Sequence, residues 1–214
     1  MDGNRRWAKE KLLPSKHGHK KGAEVLIKTS EHLYECKIKY ATFYAFSTEN
    51  WNRSKEEVET LLNLIREYLK NDIKKIQNDS RFNLNIIGSL ERLPIDIRDE
   101  LSKIKKDFIV NEDKLTITIA INYGSLDEIK RACNYIIENN LSGDEILKQL
   151  DTKDLPNPDI IVRTGGESRL SNFLLLQSAY SEIYFSKTLW PDFSKKDLNI
   201  ILDWFSKIKR NYGN

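Results

Sequence analysis

The residues best suited to chemistry lie in Arg163-Thr-Gly-Gly-Glu-Ser-Arg169-Leu-Ser171-Asn, where two guanidinium groups flank a glycine pair and Ser171 adds a hydroxyl. Guanidinium is a planar fork that takes phosphate oxygens two at a time. The Gly165-Gly166 pair lets backbone N–H groups approach an anion with no Cβ in the way. The segment follows an apolar run, Asp159-Ile-Ile-Val, so it reads as a phosphate-holding loop at the carboxyl end of a strand. A polar βα loop with surface arginines is the competing reading.

A second candidate opens the chain. Met1-Asp-Gly-Asn-Arg-Arg-Trp-Ala sets a carboxylate beside a glycine, an amide, two arginines and a tryptophan. Mg²⁺ takes one or two protein carboxylates and completes its shell with water and substrate phosphate, so Asp2 alone beside phosphate-binding arginines is chemically sufficient. A frayed, charged terminus is the alternative. His17-Gly-His19 reads as a loop pair with a phosphate-contacting or structural role, because two histidines without Cys or a further His are a weak zinc signal. Gly18 to Gly22 lacks the spacing of a P-loop or a dinucleotide fingerprint, and no Ser-His-Asp order can be defended.

Composition narrows the partners. The 35 basic and 32 acidic residues leave a net charge of +3, so any anion binding is local. The basic residues near Trp7 and Trp51 are too dispersed for a nucleic-acid stacking platform, and nucleic acid is excluded as a partner. No run of 18 apolar residues is present, which reads as one soluble, cytoplasmic domain. Cys36 and Cys133 read as buried free thiols on helix faces in a reducing compartment.

These motifs need elements to hold them. β-branched and aromatic runs at Ala41–Ser47, Phe82–Gly88, Leu115–Asn122, Asp159–Arg163 and Glu182–Phe185 alternate with helical patterns, the signature of a parallel α/β sheet. Helices are expected after Gly22 (Val25, Leu26, Leu33), from the Ser54/Glu57 capping box (Val58, Leu61, Leu62, Ile65, Leu69) and near Pro94 (Ile97, Leu101, Ile104). Two more are expected around Ile129, Cys133, Ile136 and Ile137, and from Ser194 through Leu198, Ile201, Leu202, Phe205 and Ile208. The stripe Leu61, Leu62, Ile65, Leu69 lines either core or an apolar cleft, with core the commoner use. In an open parallel sheet the ligand crevice lies outside the carboxyl ends of the strands. Ser47-Thr-Glu-Asn50-Trp-Asn-Arg53, Asn122-Tyr-Gly124 and Arg163 to Ser171 each follow a strand and are expected to converge there.

Taken in order, Asp2-Gly-Asn-Arg-Arg-Trp-Ala, Gly18-His19, Tyr44-Ala-Phe-Ser-Thr-Glu-Asn-Trp-Asn-Arg53, Asn122-Tyr-Gly124, Arg163 to Leu175 and Glu182-Ile-Tyr-Phe…Leu189-Trp-Pro-Asp-Phe193 resemble the motif set of the cis-prenyltransferases, bacterial undecaprenyl diphosphate synthases above all. The resemblance runs from Met1 to about Phe205. It implies an α/β domain over residues 1–214 with a mostly parallel central sheet flanked by helices, not the all-α trans-prenyltransferase fold. It also implies a cytoplasmic homodimer that condenses isopentenyl diphosphate onto farnesyl diphosphate, with Mg²⁺, to give a long cis-polyprenyl diphosphate for cell-wall glycan synthesis. Transient contact with the inner face of the membrane would release the product.

By position, the resemblance makes Asp2 and Asn50 catalytic and Asp2 and Glu182 metal ligands. Gly3, Asn4, Arg6 and His19 match positions that cradle the allylic diphosphate, and Arg5, Trp7 and Lys16 match further substrate positions. Ser47, Thr48, Glu49, Trp51, Arg53, Arg163, Arg169 and Ser171 match the remaining substrate positions, with Arg163, Arg169 and Ser171 on isopentenyl diphosphate. Ser15 stands where relatives often carry Arg, which gives that contact to Lys16, and Ser125-Leu126 departs from the usual sequence after Asn-Tyr-Gly. The strand that precedes the Asp in the family has no counterpart here, and an earlier natural start with an apolar strand before Asp2 is expected. Two alternatives stand beside this reading: a short-chain cis-prenyltransferase, and a non-catalytic partner subunit, which would be expected to lack Asp2, Arg163 and Arg169.

Overall fold

A computed structural model describes residues 1–210. In chain order its helices and strands are α1 (Asn4–Glu10), α2 (Ser15–Glu35), β1 (Tyr40–Ser47), α3 (Lys55–Tyr68), α4 (Lys74–Asn78), β2 (Phe82–Ile87), α5 (Ile95–Asp107), β3 (Leu115–Tyr123), α6 (Ser125–Glu138), β4 (Ile160–Arg163), β5 (Glu182–Phe185) and α7 (Lys195–Ser206). Every ladder is parallel, and the architecture is α/β, as the alternation of patterns implies. The strands pair as a set of three and a set of two, and the chain gathers into two compact units.

The first unit, Lys37–Pro156 with Asn172–Leu174, carries the order β1-β3-β2. All nine residues of β3 are buried, which is why Leu115 to Tyr123 reads as an unbroken β-branched run rather than an alternating one. The Ser54 hydroxyl accepts the Glu57 N–H and starts α3, which buries Leu62, Leu64 and Ile65. A π turn, Leu69–Ile73, carries the apolar stripe on through Leu69 and Ile73 to Ile76 of α4. That stripe is core. On α6 the buried stripe is Ser125, Glu128, Ala132 and Ile136, and Ile137 is 73% exposed. The apolar pattern alone misplaces that face, because buried Glu128 is satisfied by the Tyr123 hydroxyl at 2.6 Å and the Asp151 N–H at 2.9 Å.

The second unit, Met1–Cys36 with Asn157–Ser171 and Leu175 onward, pairs β4 with β5 from Ile160↔Glu182 to Arg163↔Phe185. Its α2 begins at Ser15, behind Pro14, well before the Gly22 start expected from sequence. His17, Gly18 and His19 are therefore helical and not in a loop. Gly18 and Gly22, one turn apart, make room for α1: a Cβ at Gly18 would meet the Asn4 carbonyl oxygen at 2.0 Å. Cys36 and Cys133 are free but only half-buried, and Cys36 caps α2 rather than lying on its apolar face.

Candidate active site

Asp2 has no helix or strand of its own, yet it is fixed from three sides. The Thr164 hydroxyl accepts the Asp2 N–H at 2.9 Å and donates to the Asp2 carbonyl at 3.0 Å, while that carbonyl also accepts the Trp190 N–H at 2.9 Å. The terminus is thus not frayed at this point. The carboxylate accepts Arg163 Nη2 at 2.8 Å on Oδ2 and the Gly3 N–H at 2.6 Å on Oδ1. Burial pushes the Asp2 carboxyl up, but the Arg163 and Gly3 hydrogen bonds and the charges of Arg163 and Arg6 outweigh it and hold the group below its ordinary value.

The two arginines of the glycine loop have different positions. Arg163, with its side chain 14% exposed, spends its fork on the protein: Nη2 on Asp2, Nη1 on Ser171 Oγ at 2.5 Å and on the Arg169 carbonyl at 2.6 Å. Its Nε is buried without a hydrogen-bond partner. Arg169 is 58% exposed, and among the described residues its guanidinium holds only Glu167, at 2.7 Å. Arg6 reaches the same Glu167 at 3.9 Å and Asp2 at 3.5 Å.

The glycines do not act as expected. Gly165 and Gly166 are left-handed, at φ +90 and +78, but their N–H groups donate to the carbonyls of Thr188 and Ser186, both at 2.8 Å, and are not free for an anion. Their value is turn and space. A Cβ on Gly165 would sit 2.6 Å from Arg6 Nη2 and 3.1 Å from the Asp2 backbone. Gly3 is similar, left-handed at φ +107 and pressed on Leu189, where a Cβ would lie 2.8 Å away.

Other expected residues scatter. Asn4 donates Nδ2 to the Met1 carbonyl at 3.3 Å and leaves Oδ1 buried without a partner, facing Gly22. Arg5 is exposed. Trp7 is core: it is buried and its indole N–H donates to Asp192 at 2.7 Å. Lys16 and His17 are exposed on the first turn of α2, and His17 and His19, two apart on a helix, point to different sides and form no metal pair. Glu182 begins β5 opposite Ile160, while Asp2 is tied to Thr164, beyond the other end of these strands. Four residue steps of strand, from Ile160 to Thr164, separate the two levels by roughly 13 Å, so one chain does not bring Glu182 to Asp2. Among the described residues no three His, Cys, Asp or Glu side chains cluster as a metal site.

The Ser47–Arg53 segment belongs to the other unit. Ser47 caps a 3₁₀ turn, Thr48–Asn52, and exchanges a pair of hydrogen bonds with Asn50, its N–H meeting Asn50 Oδ1 at 2.9 Å. Trp51 donates to Asn122 Oδ1 at 2.7 Å, lies edge-on to Phe46 and carries Arg92 over its ring. Gly124 leaves room for the Thr48 hydroxyl, and Arg53 is exposed. Two residues outside the expected set matter to this geometry. Thr164 holds Asp2, and Asn172 joins the turn to α6: its Nδ2 donates to Glu49 at 2.7 Å, its Oδ1 accepts the Leu126 N–H at 2.9 Å and its carbonyl accepts the Ser125 N–H at 2.8 Å. Both lie inside the glycine-loop motif. Their signal was a short polar side chain amid charged neighbours, which sequence does not separate from an ordinary loop residue.

Comparison with known proteins adds a second line. A sequence model of the undecaprenyl diphosphate synthase family matches residues 1–213. Isoprenyl transferases of Fusobacterium nucleatum and Thermotoga maritima are each 43% identical to this chain over its whole length, which covers 93% and 94% of theirs. Among solved structures, lavandulyl diphosphate synthase from Lavandula x intermedia, in complex with dimethylallyl diphosphate, superposes with a TM-score of 0.90 at 28% identity, covering 100% of this chain and 95% of that one. A probable undecaprenyl diphosphate synthase from Campylobacter jejuni gives 0.79 at 34% identity, with 91% and 93% covered.

Proposed function

We infer the function from one premise: the chain belongs to the undecaprenyl diphosphate synthase family and is a prenyl-transferring enzyme of the isoprenyl transferase kind. From that premise we propose that it condenses isopentenyl diphosphate repeatedly onto farnesyl diphosphate to give a long-chain polyprenyl diphosphate, undecaprenyl diphosphate being the product we assign, as a lipid carrier for cell-wall glycans. The observation that carries this reading is the charge arrangement around Gly165-Gly166: Asp2, Arg6, Arg163 and Arg169 with Ser171 surround one turn. Cationic groups fixed before the reaction stabilise the charge that builds on a departing diphosphate more than they stabilise the bound substrate.

Arg169 and Arg6, the more exposed of the guanidiniums, are the groups we assign to diphosphate oxygens. Arg163 fixes Asp2 and Ser171 beneath them, and its unpaired Nε is a further donor. A site with one half-buried carboxylate suits Mg²⁺, which draws its remaining ligands from water and diphosphate. Asp2 would hold the ion, and the ion would supply charge neutralisation at the phosphate oxygens. Glu182 would reach it only from a second copy of the chain, which is how we assign it within a homodimer. In the other unit, Asn50 has its amide oxygen engaged by Ser47 and keeps its NH₂ for substrate, with Arg53 exposed on the same turn.

The structural likeness to lavandulyl diphosphate synthase supports a second reading, a short-chain product. One experiment separates the readings. Labelled isopentenyl diphosphate, farnesyl diphosphate and Mg²⁺ are incubated with the purified chain and the lipid product is sized. We expect a long polyprenyl ladder that disappears in excess chelator. A single short product overturns the long-chain assignment, and no incorporation overturns the activity.

A further inference from the structure

We propose that the Leu12-Leu13 turn between α1 and α2 is a tip that seats on an anionic lipid bilayer. α1 ends in a Schellman arrangement: the Leu12 N–H donates to the Lys9 carbonyl at 3.1 Å and the Leu13 N–H to the Ala8 carbonyl at 2.8 Å. The left-handed residue of that motif is ordinarily glycine, and here it is Leu12 at φ +55. Leu12 is also 94% exposed, and Leu13 40% exposed. A leucine at this position is strained by its backbone and wasted in water, so folding gains nothing from it.

The surroundings say what it meets. Between Lys9 and Lys21 the chain has five lysines against one acid, Glu10. Lys9, Lys11, Lys16 and Lys20 are exposed, Lys11 lies over the Trp7 ring at 5.1 Å, and Lys21 is tied to Glu24. Two protruding leucines in a lysine rim match the apolar interior and negative headgroups of an anionic bilayer. They offer too little apolar surface for a stable protein interface. No helix among the described residues is long and apolar enough to cross a membrane, so contact of this kind is peripheral. α1 spans seven residues from Asn4, placing the tip roughly 10 Å along the helix from the Asp2 end. The inference deepens the proposed function, whose apolar product has to enter a bilayer, but its test needs no substrate.

The full chain is sedimented with vesicles of equal parts phosphatidylglycerol and phosphatidylcholine, and with phosphatidylcholine alone. We expect binding to the first, weakened by salt, and little to the second. Leu12→Gly removes the apolar tip while supplying the residue the left-handed turn favours. It should bind the anionic vesicles about tenfold less tightly with a melting temperature unchanged or raised. Replacing Lys9 and Lys11 by Gln should weaken binding about fivefold per lysine. Equal vesicle binding by wild type and Leu12→Gly overturns the proposal, as does equal binding to neutral vesicles. A fall in solution mass on Leu12→Gly would assign the tip to a second copy instead, and a lowered melting temperature would assign it to the fold. Loss of prenyl transfer in wild type, with vesicle binding intact, would sink the functional reading and leave this one standing.

Discussion

Arg163→Ala and Arg169→Ala should fail in different ways, although the two residues look alike in the sequence. Arg163 makes three hydrogen bonds to Asp2, Ser171 and the Arg169 carbonyl from a side chain that is 14% exposed. A charge-assisted bond contributes about 1.5–3 kcal/mol, and a carbonyl contact nearer 1 kcal/mol. Water takes over part of this, because Ser171 and a third of Asp2 are open to it, so a loss of about 2–4 kcal/mol is the reasonable scale. For a chain of this size that lowers the melting temperature by roughly 5–15 °C. Asp2 also loses its partner, so kcat falls along with kcat/KM. Arg169 holds an exposed carboxylate, a contact of about 0–1 kcal/mol, and its removal should move the melting temperature by less than about 4 °C. Its cost should appear as an isopentenyl diphosphate KM raised about tenfold. Calorimetry with steady-state kinetics on both variants and on Arg163→Lys, which restores the charge but not the fork, decides the matter. Matching melting temperatures for the two alanine variants, or an Arg163→Lys enzyme equal to wild type, would refute the division of roles.

Asn172→Ala should cut the link between the Thr48–Asn52 turn and the start of α6, lowering kcat by about tenfold or more with a melting temperature down by only a few degrees, and Asn172→Asp should not rescue it because Glu49 would then face a second carboxylate. An unchanged kcat in Asn172→Ala would remove the positioning role. For Asp151, burial pushes the carboxyl up, but the Arg131 hydrogen bond and charge, Lys105 and the Gly88 N–H outweigh it and leave the pKa depressed. A depressed carboxylate stabilises the fold above its unfolded pKa, near 3.9, and that contribution disappears as pH falls through the folded value. The melting-temperature gap between wild type and Asp151→Asn should therefore be full at neutral pH and close only below about pH 4; a gap constant down to pH 3 would show that the ion pair with Arg131 does not stabilise the fold.

The strands were legible because buried parallel strands cannot alternate: Leu115 to Tyr123 is a nine-residue run with every side chain inside. Glu182–Phe185 was placed to the residue, and β1 to β4 fell within one residue at each end. Helices failed where their logic was polar or too short for a period. α1 has seven residues, with two arginines and a lysine, and is fixed by Trp7 and by close approach to Gly18 rather than by an apolar stripe. Gly18 and Gly22 look like loop residues and are instead contact points inside α2. The buried face of α6 departs from the apolar pattern because it is built around Glu128, which is satisfied by Tyr123 at the end of β3, 5 residues away, and by the Asp151 N–H, 23 residues away. Hydrogen-bond satisfaction over such separations leaves no periodic trace.

The same difference explains what was and was not readable at the site. By type, guanidinium, glycine and hydroxyl at this density point to an anion-binding turn, which is the reading proposed above. The division of labour did not follow from types, because it depends on which donors the protein has already spent. Gly165 and Gly166 give their N–H groups to Thr188 and Ser186, and Arg163 gives its two terminal nitrogens to Asp2, Ser171 and Arg169. What is less fully spent is the Arg163 Nε, which has no hydrogen-bond partner, together with the exposed guanidiniums of Arg6 and Arg169, which share one carboxylate, Glu167, with Arg6 also 3.5 Å from Asp2. Glu167 stands where an incoming anion of higher charge would compete, and on the proposed reading diphosphate displaces it. The exchange trades a single negative charge for a larger one on groups already gathered, so the cost of bringing like charges together is borne in folding rather than at binding.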